Sequence, residues 1–518
     1  MLKRLFYFIL LFTSFNKLAA NEVLYFWSGA ITPSSAKVNA VLKSPAEKVR
    51  LVVCLDKAFS QPIYSEFTSA KLEFGNTVAL IIDHLESTRT YYYCLEIDGV
   101  KDLAEKHIGS FKTVTTSPYS FKFVAGSCNF FPNNKVYDKM RAQNPLFLLM
   151  PGDLHYANPS SSDLEPHRTA YEEKVLQHPK EAKFLQNIPI AYVWDDHDFC
   201  GDNNDGSTGC GIAAYKAYKE YIPYYPLGAN EISQSIYQSF TIGRVHFIMT
   251  DLRSERKNGD IMSVDQKNWF KSEVMSAKNK GQIICWVSSV SFSGERSDNW
   301  GGYTQTRTEL SNFFRDSNIV NMFIISGDAH MLAIDNGTHA DFSDNKTNPN
   351  FYPILQSAAL NNVGSDKGGI YSEGGTFPNP PFSSQWSTIE VMDNGGKDIS
   401  IRFVCYRMNL FTKRTKVMTS YQFCRTLQPI SGGMPRNSKP MAVELDETGN
   451  NINLGINYNG KAALKVLDYQ GKILIHQLDV TINNSLMLDI SSLAKTQNYY
   501  VVIETKEDNY ISQLNLIR

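Results

Sequence analysis

Hydrophobic and polar positions follow three successive rhythms along this chain. From residue 21 to about 116, short β-rich runs recur at close spacing: Val23–Trp27, Lys37–Leu42, Val49–Cys54, Val78–Ile82, Tyr91–Ile97 and Phe111–Val114. Turn residues separate them, the pattern of a small β-sandwich. From 117 to 428 the rhythm becomes α/β. Wholly apolar runs alternate with stretches of helical period such as Ala213–Tyr221 and Val264–Ala277. Residues 429–446, which begin PISGGMPRNSKP, have the Gly, Pro and Ser content of a linker. From 447 to 518 β-rich runs return: Ala463–Leu467, Ile473–His476, Leu486–Ile490, Tyr499–Glu504 and Ser512–Leu516. They predict a second small β-sandwich.

The first 20 residues stand apart. Lys3 and Arg4 precede the apolar run Leu5–Phe12, and the small residues Ala19 and Ala20 follow. That is the layout of a secretory signal peptide, and the run is too short for a membrane span of about 20 residues. The mature chain is therefore expected outside the cytoplasm, secreted or at the cell surface after passing through the periplasm. Lys plus Arg (51) balance Asp plus Glu (52), so the basic excess of a duplex DNA binder is missing and no nucleic-acid partner is expected beyond a possible substrate. Eight cysteines suit an exported chain. Cys200 with Cys210, Cys54 with Cys94, and Cys405 with Cys424 are candidate pairs.

Candidate chemistry sits where the apolar runs of the middle region end. FKFVA (121–125) leads into Gly126, Ser127 and Cys128. LFLLM (146–150) leads into Gly152, Asp153, His155 and Tyr156. IAYVW (190–194) leads into Asp195, Asp196, His197 and Asp198. VHFIMT (245–250) leads into Asp251 and Arg253, and MFIIS (322–326) into Gly327, Asp328 and His330. Sites in α/β sheets form beyond the carboxyl ends of strands. One Asp or His at such an end often caps a helix or makes a turn; five such ends point to one site. Gly152 and Gly327 allow sharp turns and close approach. Asp328 and His330, two apart, would share a side if extended. Gathered carboxylates repel one another unless cations sit between them, which argues for metals. Arg253 and Arg296 could grip phosphate oxygens through a planar fork or simply be solvated. His155 is expected to point away.

In order, the motifs Ser-Cys, Gly-Asp-x-x-Tyr, Trp-Asp-Asp-His-Asp and Gly-Asp-x-His resemble the PhoD-type alkaline phosphatases of the metallophosphoesterase superfamily. The resemblance covers about residues 21–428. It implies an α/β fold, a metallophosphoesterase-like two-sheet sandwich at 117–428 preceded by the β-sandwich at 21–116; the β-sandwich that the pattern predicts at 447–518 flanks it on the other side. It also implies that Cys128, Asp153, Tyr156 and His330 hold Fe3+, and that Asp153 bridges to a second site. There, Asp196 and Asp328, with Asn203 or Asp202, hold Ca2+; other divalent metals are alternatives. Thiolate and phenolate suit ferric iron, and oxygen donors suit calcium. Asn129 follows Cys128 where the family often has Gln, and the loop at 200–204 is longer than in some relatives. The leader lacks a twin arginine, so export unfolded with later metal loading is expected. Residues 447–518 resemble the sorting domain of type IX secretion cargo, which implies the secretion machinery as a partner.

The expected function is hydrolysis of phosphate monoesters, with diesters as further substrates, by water made nucleophilic at a metal. His197 would stabilise the phosphate or protonate the leaving alkoxide, and Arg253 would grip the phosphate. Rivals are a phosphodiesterase, including phospholipase D-like activity, and a surface binding protein on a degenerate enzyme fold. Every expected ligand type has a candidate residue here, which disfavours the last.

Overall fold

The computed structural model describes residues 22–131, 134–257, 259–345, 352–365, 367–427, 438–446, 450–468, 473–493, 498–505 and 509–515. The leader at 1–20 and residues 429–437 of the expected linker lie outside the described residues.

Two large sheets carry the middle region. One has seven strands, in the order Gln238–Ile242, Val245–Thr250, Ile283–Ser288, Met322–Ser326, Ile354–Ser357, Met331–Asp335 and Thr376–Pro378. Its central pairs are parallel. Side chains alternate between two cores, as the pleat demands. Phe247, Cys285, Val287, Phe323 and Ile325 face the other sheet. Ile248, Ile284, Trp286 and Ile324 face a layer containing Phe270 and Val274 of the helix Val264–Asn279 and Leu310 and Phe314 of the helix Thr304–Asp316. Burial on both faces explains why Val245–Thr250, Ile283–Ser288 and Met322–Ser326 are apolar apart from His246 and their last residue.

The nine-stranded sheet runs Thr415–Thr426, Asp398–Asn409, Ser383–Met392, Phe121–Ala125, Leu148–Pro151, Ile190–Val193, Val23–Gly29, Ala36–Leu42 and Thr77–Ile82. Rings of Phe123, Phe147 and Phe247 pack between the two sheets, with centroids 5.5–5.6 Å apart for the contacts to Phe247. Helices Val136–Arg141, Pro179–Asn187 and Gly211–Tyr221 bury Tyr137, Phe184 and Tyr218 in the same core. The arrangement is the expected two-sheet α/β sandwich.

The N-terminal strands differ from the expected separate sandwich. Val23–Gly29 pairs in parallel with Ile190–Val193 at Gly29 and Ile190, so Val23–Gly29, Ala36–Leu42 and Thr77–Ile82 continue the sheet of the middle region. Val38, Leu51 and Tyr93 also belong to the main core. Residue 116 is thus a boundary of the chain but not of the sheet.

Of the cysteine pairs, Cys200 and Cys210 form a disulfide with a Cα separation of 6.0 Å. The other two candidate pairs are free thiols, because strand register keeps them apart. Cys54 lies opposite Tyr92 and Cys94 opposite Val52; Cys405 lies opposite Thr419 and Cys424 opposite Ser400.

The C-terminal strands Asn451–Asp468 and Ile473–Asp489 form a long antiparallel hairpin with three register shifts. Asn498–Glu504 pairs with the first strand, and Ile452, Leu464, Val466, Tyr499 and Val501 make a core of their own. Among the described residues no helix is long and apolar enough to cross a membrane.

Candidate metal centre

Four of the five strand ends deliver side chains to one place. At two of them a glycine sets the path. A Cβ on Gly152, at φ 94°, would stand 2.5 Å from the Asp195 Cβ, and one on Gly327 would meet the Pro151 carbonyl at 2.3 Å. The strand ends are therefore packed too closely for any other residue. Beyond them the chain turns left-handed at Cys128 (φ 61°), Asp153 (55°), Asn203 (55°), Asp328 (61°) and His330 (46°). Such φ values are uncommon outside glycine and cluster at functional sites. Asp328 and His330 are accordingly not brought together by an extended segment, as expected from their spacing, but by two left-handed residues flanking Ala329.

Two donor groups result, and they share a residue. One ligand atom each from Cys128, Asp153 and His330 lie within 4.8 Å of one another; the same holds for Asp153, Asp196 and His197. The Tyr156 hydroxyl donates to Asp153 Oδ2 at 2.8 Å and lies 2.9 Å from His330 Nε2. Its ring lies 3.9 Å from that of His197. His197 Nδ1 meets Asn158 Oδ1 at 2.6 Å. Asp196 Oδ2 accepts the Asn203 backbone N–H at 2.6 Å. Asn203 thus meets the cluster through its main chain. Asp202 is exposed, with its carboxylate 3.6 Å from His197 Nε2.

Asp198 ties the loops together without entering the cluster. Its carboxylate accepts the N–H of Leu154 (2.8 Å) and of Asp195 (2.6 Å) and the hydroxyl of Tyr192 (2.6 Å). His155 points elsewhere, packing edge-on against Tyr171 at 5.2 Å, and burial pushes its imidazole down to about 3.

The electrostatics fit a cation site. Asp153 Oδ1, Asp196 Oδ1 and Asp328 Oδ2 are buried with no hydrogen-bond partner. Unpartnered buried carboxylate oxygens are costly unless something positive meets them. Burial, then the charge of Asp196, drives Asp153 well above the usual carboxylate range. Burial raises Asp328 to about 7 against the pull of Lys367. Burial also acts on Asp196, but Arg253 overrides it and holds that carboxyl low. Burial lowers His330 to about 4, which leaves a neutral imidazole able to donate a lone pair. Burial and Asp153 push the Cys128 thiol up; bound cations reverse that balance and favour thiolate. Thiol, phenol, imidazole and carboxylate on one side, and carboxylates on the other, are donors that suit two different metals.

Arg253 departs from its expected role. It is fully buried, and its fork is already engaged. Nε and Nη2 donate to Asp195 (2.6 and 3.1 Å), Nη1 and Nη2 to Asp298 (2.7 and 3.1 Å), and Asp196 lies 3.7 Å away. The side chain pins three carboxylates beneath the cluster and has no fork left for a phosphate. Its neighbour Asp251 accepts from Trp194, Ser235 and Ser254 and belongs to the same underpinning.

Sequence reasoning missed four polar residues. Lys367 Nζ donates to Asp328 Oδ1 at 2.7 Å. Asn362 Nδ2 lies 3.3 Å from His330 Nε2. Asn158 holds His197, and Asp298 holds Arg253 and Arg256. The run IICWVS (283–288) was a sixth signal of the same kind, since its loop carries Asp298. Asn158, Asn362 and Lys367 come from irregular segments with no periodic mark.

The family model for PhoD-like phosphatases matches residues 123–364, the stretch that supplies every donor from Cys128 to His330. Residues 123–364 are a PhoD-like phosphatase domain. Alkaline phosphatase D of Bacillus subtilis (strain 168) is 22% identical, over 57% of this chain and 60% of that protein. The chain therefore spans about three fifths of the length of this relative. A solved structure described as that of PhoD superposes with a TM-score of 0.62 at 16% identity, covering 79% of this chain and 93% of that one. That likeness establishes the PhoD fold. It extends well past the domain match and so takes in flanking strands as well.

Proposed function

We propose that this protein is an exported, metal-dependent phosphatase that hydrolyses phosphate monoesters and also accepts diesters. The observation that carries the reading is the pair of donor groups sharing Asp153, with three buried carboxylate oxygens that have no hydrogen-bond partner. Cys128, Asp153, Tyr156 and His330 would hold Fe3+. Asp153 and Asp196 of the second group, completed by the buried Asp328 carboxylate and by Asn203, would hold Ca2+, which leaves His197 beside that ion and not on it. When bound, such ions supply charge to the phosphoryl oxygens and lower the pKa of water.

The chain's own residues do the rest. Lys367, 2.7 Å from Asp328, is placed to pair with a phosphoryl oxygen once Asp328 is taken up by a cation. His197, oriented by Asn158, is placed to give a proton to the leaving alkoxide. Arg253 keeps Asp195, Asp196 and Asp298 in position. The Cys200–Cys210 disulfide suits an oxidising compartment, in keeping with export through the leader. We assign 447–518 to sorting by a type IX secretion machinery, from its resemblance to that cargo domain.

The test is hydrolysis of a monoester and a diester by protein stripped with a chelator and then reloaded with iron and calcium. Activity lost on stripping and regained on reloading is expected. Full activity of the metal-free protein would sink the proposal.

A further inference from the structure

Two exposed aromatic rings stand at the edge of the cluster, and the chemistry above does not use them. Phe130 and Phe131 are 45% and 53% exposed, only two and three residues beyond Cys128. The Phe130 ring meets Tyr156 edge-on (5.2 Å, 66°), and Phe131 meets Phe130 the same way (4.7 Å, 75°). Tyr156 in turn touches Asp153 and His330. A path of rings therefore leads outward from the donor groups.

The pair is held in place. Buried Asn361 accepts the Phe131 N–H on Oδ1 at 2.6 Å, and its Nδ2 donates to the Phe131 carbonyl (2.7 Å) and to Asn129 Oδ1 (2.6 Å). A buried amide with this many partners orders its segment, and here it orders two rings that gain little from burial. Val363, 50% exposed, flanks the cluster through its carbonyl, which meets His330 Nδ1 at 2.8 Å. The surroundings of Asp196 and Asp328 are polar by contrast: Asn158, Asp202 and Lys367. The site thus has one apolar wall, beside Tyr156 and His330.

We infer that Phe130 and Phe131 form a leaving-group subsite that selects phosphate esters whose alcohol carries an aromatic ring. This rests on the phosphatase reading. An ester held by its phosphoryl group at the donor cluster extends its alcohol past Tyr156, where a ring meets Phe130 in the edge or offset geometry aromatic pairs prefer. An alkyl group of similar size gains contact area there but not the quadrupole interaction.

The test uses full-length, metal-loaded protein and three esters of primary alcohols of similar basicity: 2-phenylethyl, 2-cyclohexylethyl and ethyl phosphate. The 2-phenylethyl ester is expected to exceed ethyl phosphate about tenfold in kcat/KM, mainly through KM, with the cyclohexyl ester between. The ratio should fall to about twofold in Phe130→Ala and Phe131→Ala. Phe130→Leu, which keeps bulk without a ring, should bring the phenyl and cyclohexyl esters level. Equal kcat/KM for all three esters in the native protein, or a phenyl preference that survives every variant, overturns the inference while leaving the phosphatase standing. Failure to hydrolyse any ester overturns both.

Discussion

Arg253→Met separates two roles for a residue that sequence motifs alone leave open. In the structure its guanidinium makes four hydrogen bonds to Asp195 and Asp298, and it is fully buried. Taking it away leaves the wholly buried Asp195 and the nearby Asp196 without their countercharge. Breaking a buried ion pair from one side costs about 3–5 kcal/mol. In a chain of this size each kcal/mol moves the melting temperature by about 1 °C, so a drop of roughly 3–5 °C is expected. Lysine cannot span two carboxylates with one ammonium, so Arg253→Lys should recover less than half of it. Thermal unfolding followed by circular dichroism, in the presence of chelator, reads the effect without metal binding. A melting temperature within about 1 °C of the native protein, together with a large rise in KM, would refute the reasoning and return Arg253 to the phosphate.

Other expectations follow from single contacts. Lys367→Ala should raise KM for a monoester by roughly ten- to a hundredfold, the worth of a charge-assisted hydrogen bond, with Lys367→Arg regaining most; an unchanged KM would remove Lys367 from the phosphate. His197→Ala should lower kcat by about 10²–10⁴ while metal content stays the same, and an undiminished kcat would contradict its role in proton transfer. The Cys200–Cys210 bridge closes a separation of 10 residues and is worth roughly 3 kcal/mol by loop closure. Replacing both cysteines with serine should lower stability by up to that amount and weaken calcium binding in a calorimetric titration, because the closed loop holds the Asn203 N–H on Asp196; unaltered calcium affinity would contradict that link. Tyr156→Phe should abolish any tyrosinate-to-iron absorption band, and a persisting band would exclude Tyr156 as a ligand.

Much of this architecture is legible in the pattern of apolar runs. Phe121–Ala125, Val245–Thr250 and Met322–Ser326 are strands with the bounds their apolar residues suggest, because burial on both faces leaves few polar positions inside them, Lys122 and His246 being the exceptions. The helices expected at Ala213–Tyr221 and Val264–Ala277 extend only two residues further, to begin at Gly211 and to end at Asn279. The strands Ser383–Met392, Asp398–Asn409 and Thr415–Thr426 were less visible, since the last alternates exposed and half-buried residues at the sheet edge. The union of the N-terminal strands with the nine-stranded sheet is made by pairing between residues 161 positions apart, Gly29 and Ile190, and by a shared core, which no local pattern can announce.

The candidate site divides in the same way. Cys128, Asp153, Asp196 and His330 could be read from strand ends, because the chemistry of each end is local. Which charges pair beneath them could not. Arg253 is the same residue type whether it faces a phosphate or two buried carboxylates, and only the placement of Asp298, from a different loop, decides between them. Lys367 reaches Asp328 from an irregular segment 39 residues further on.

The central claim is that Asp153 serves two cations at once. Elemental analysis of the purified native protein beside Asp153→Ala tests it most directly. The account expects iron and calcium bound to the native chain in fixed proportion to protein, and the loss of both from the variant. A native chain that holds no metal after incubation with iron and calcium, or a variant that keeps both, would contradict it.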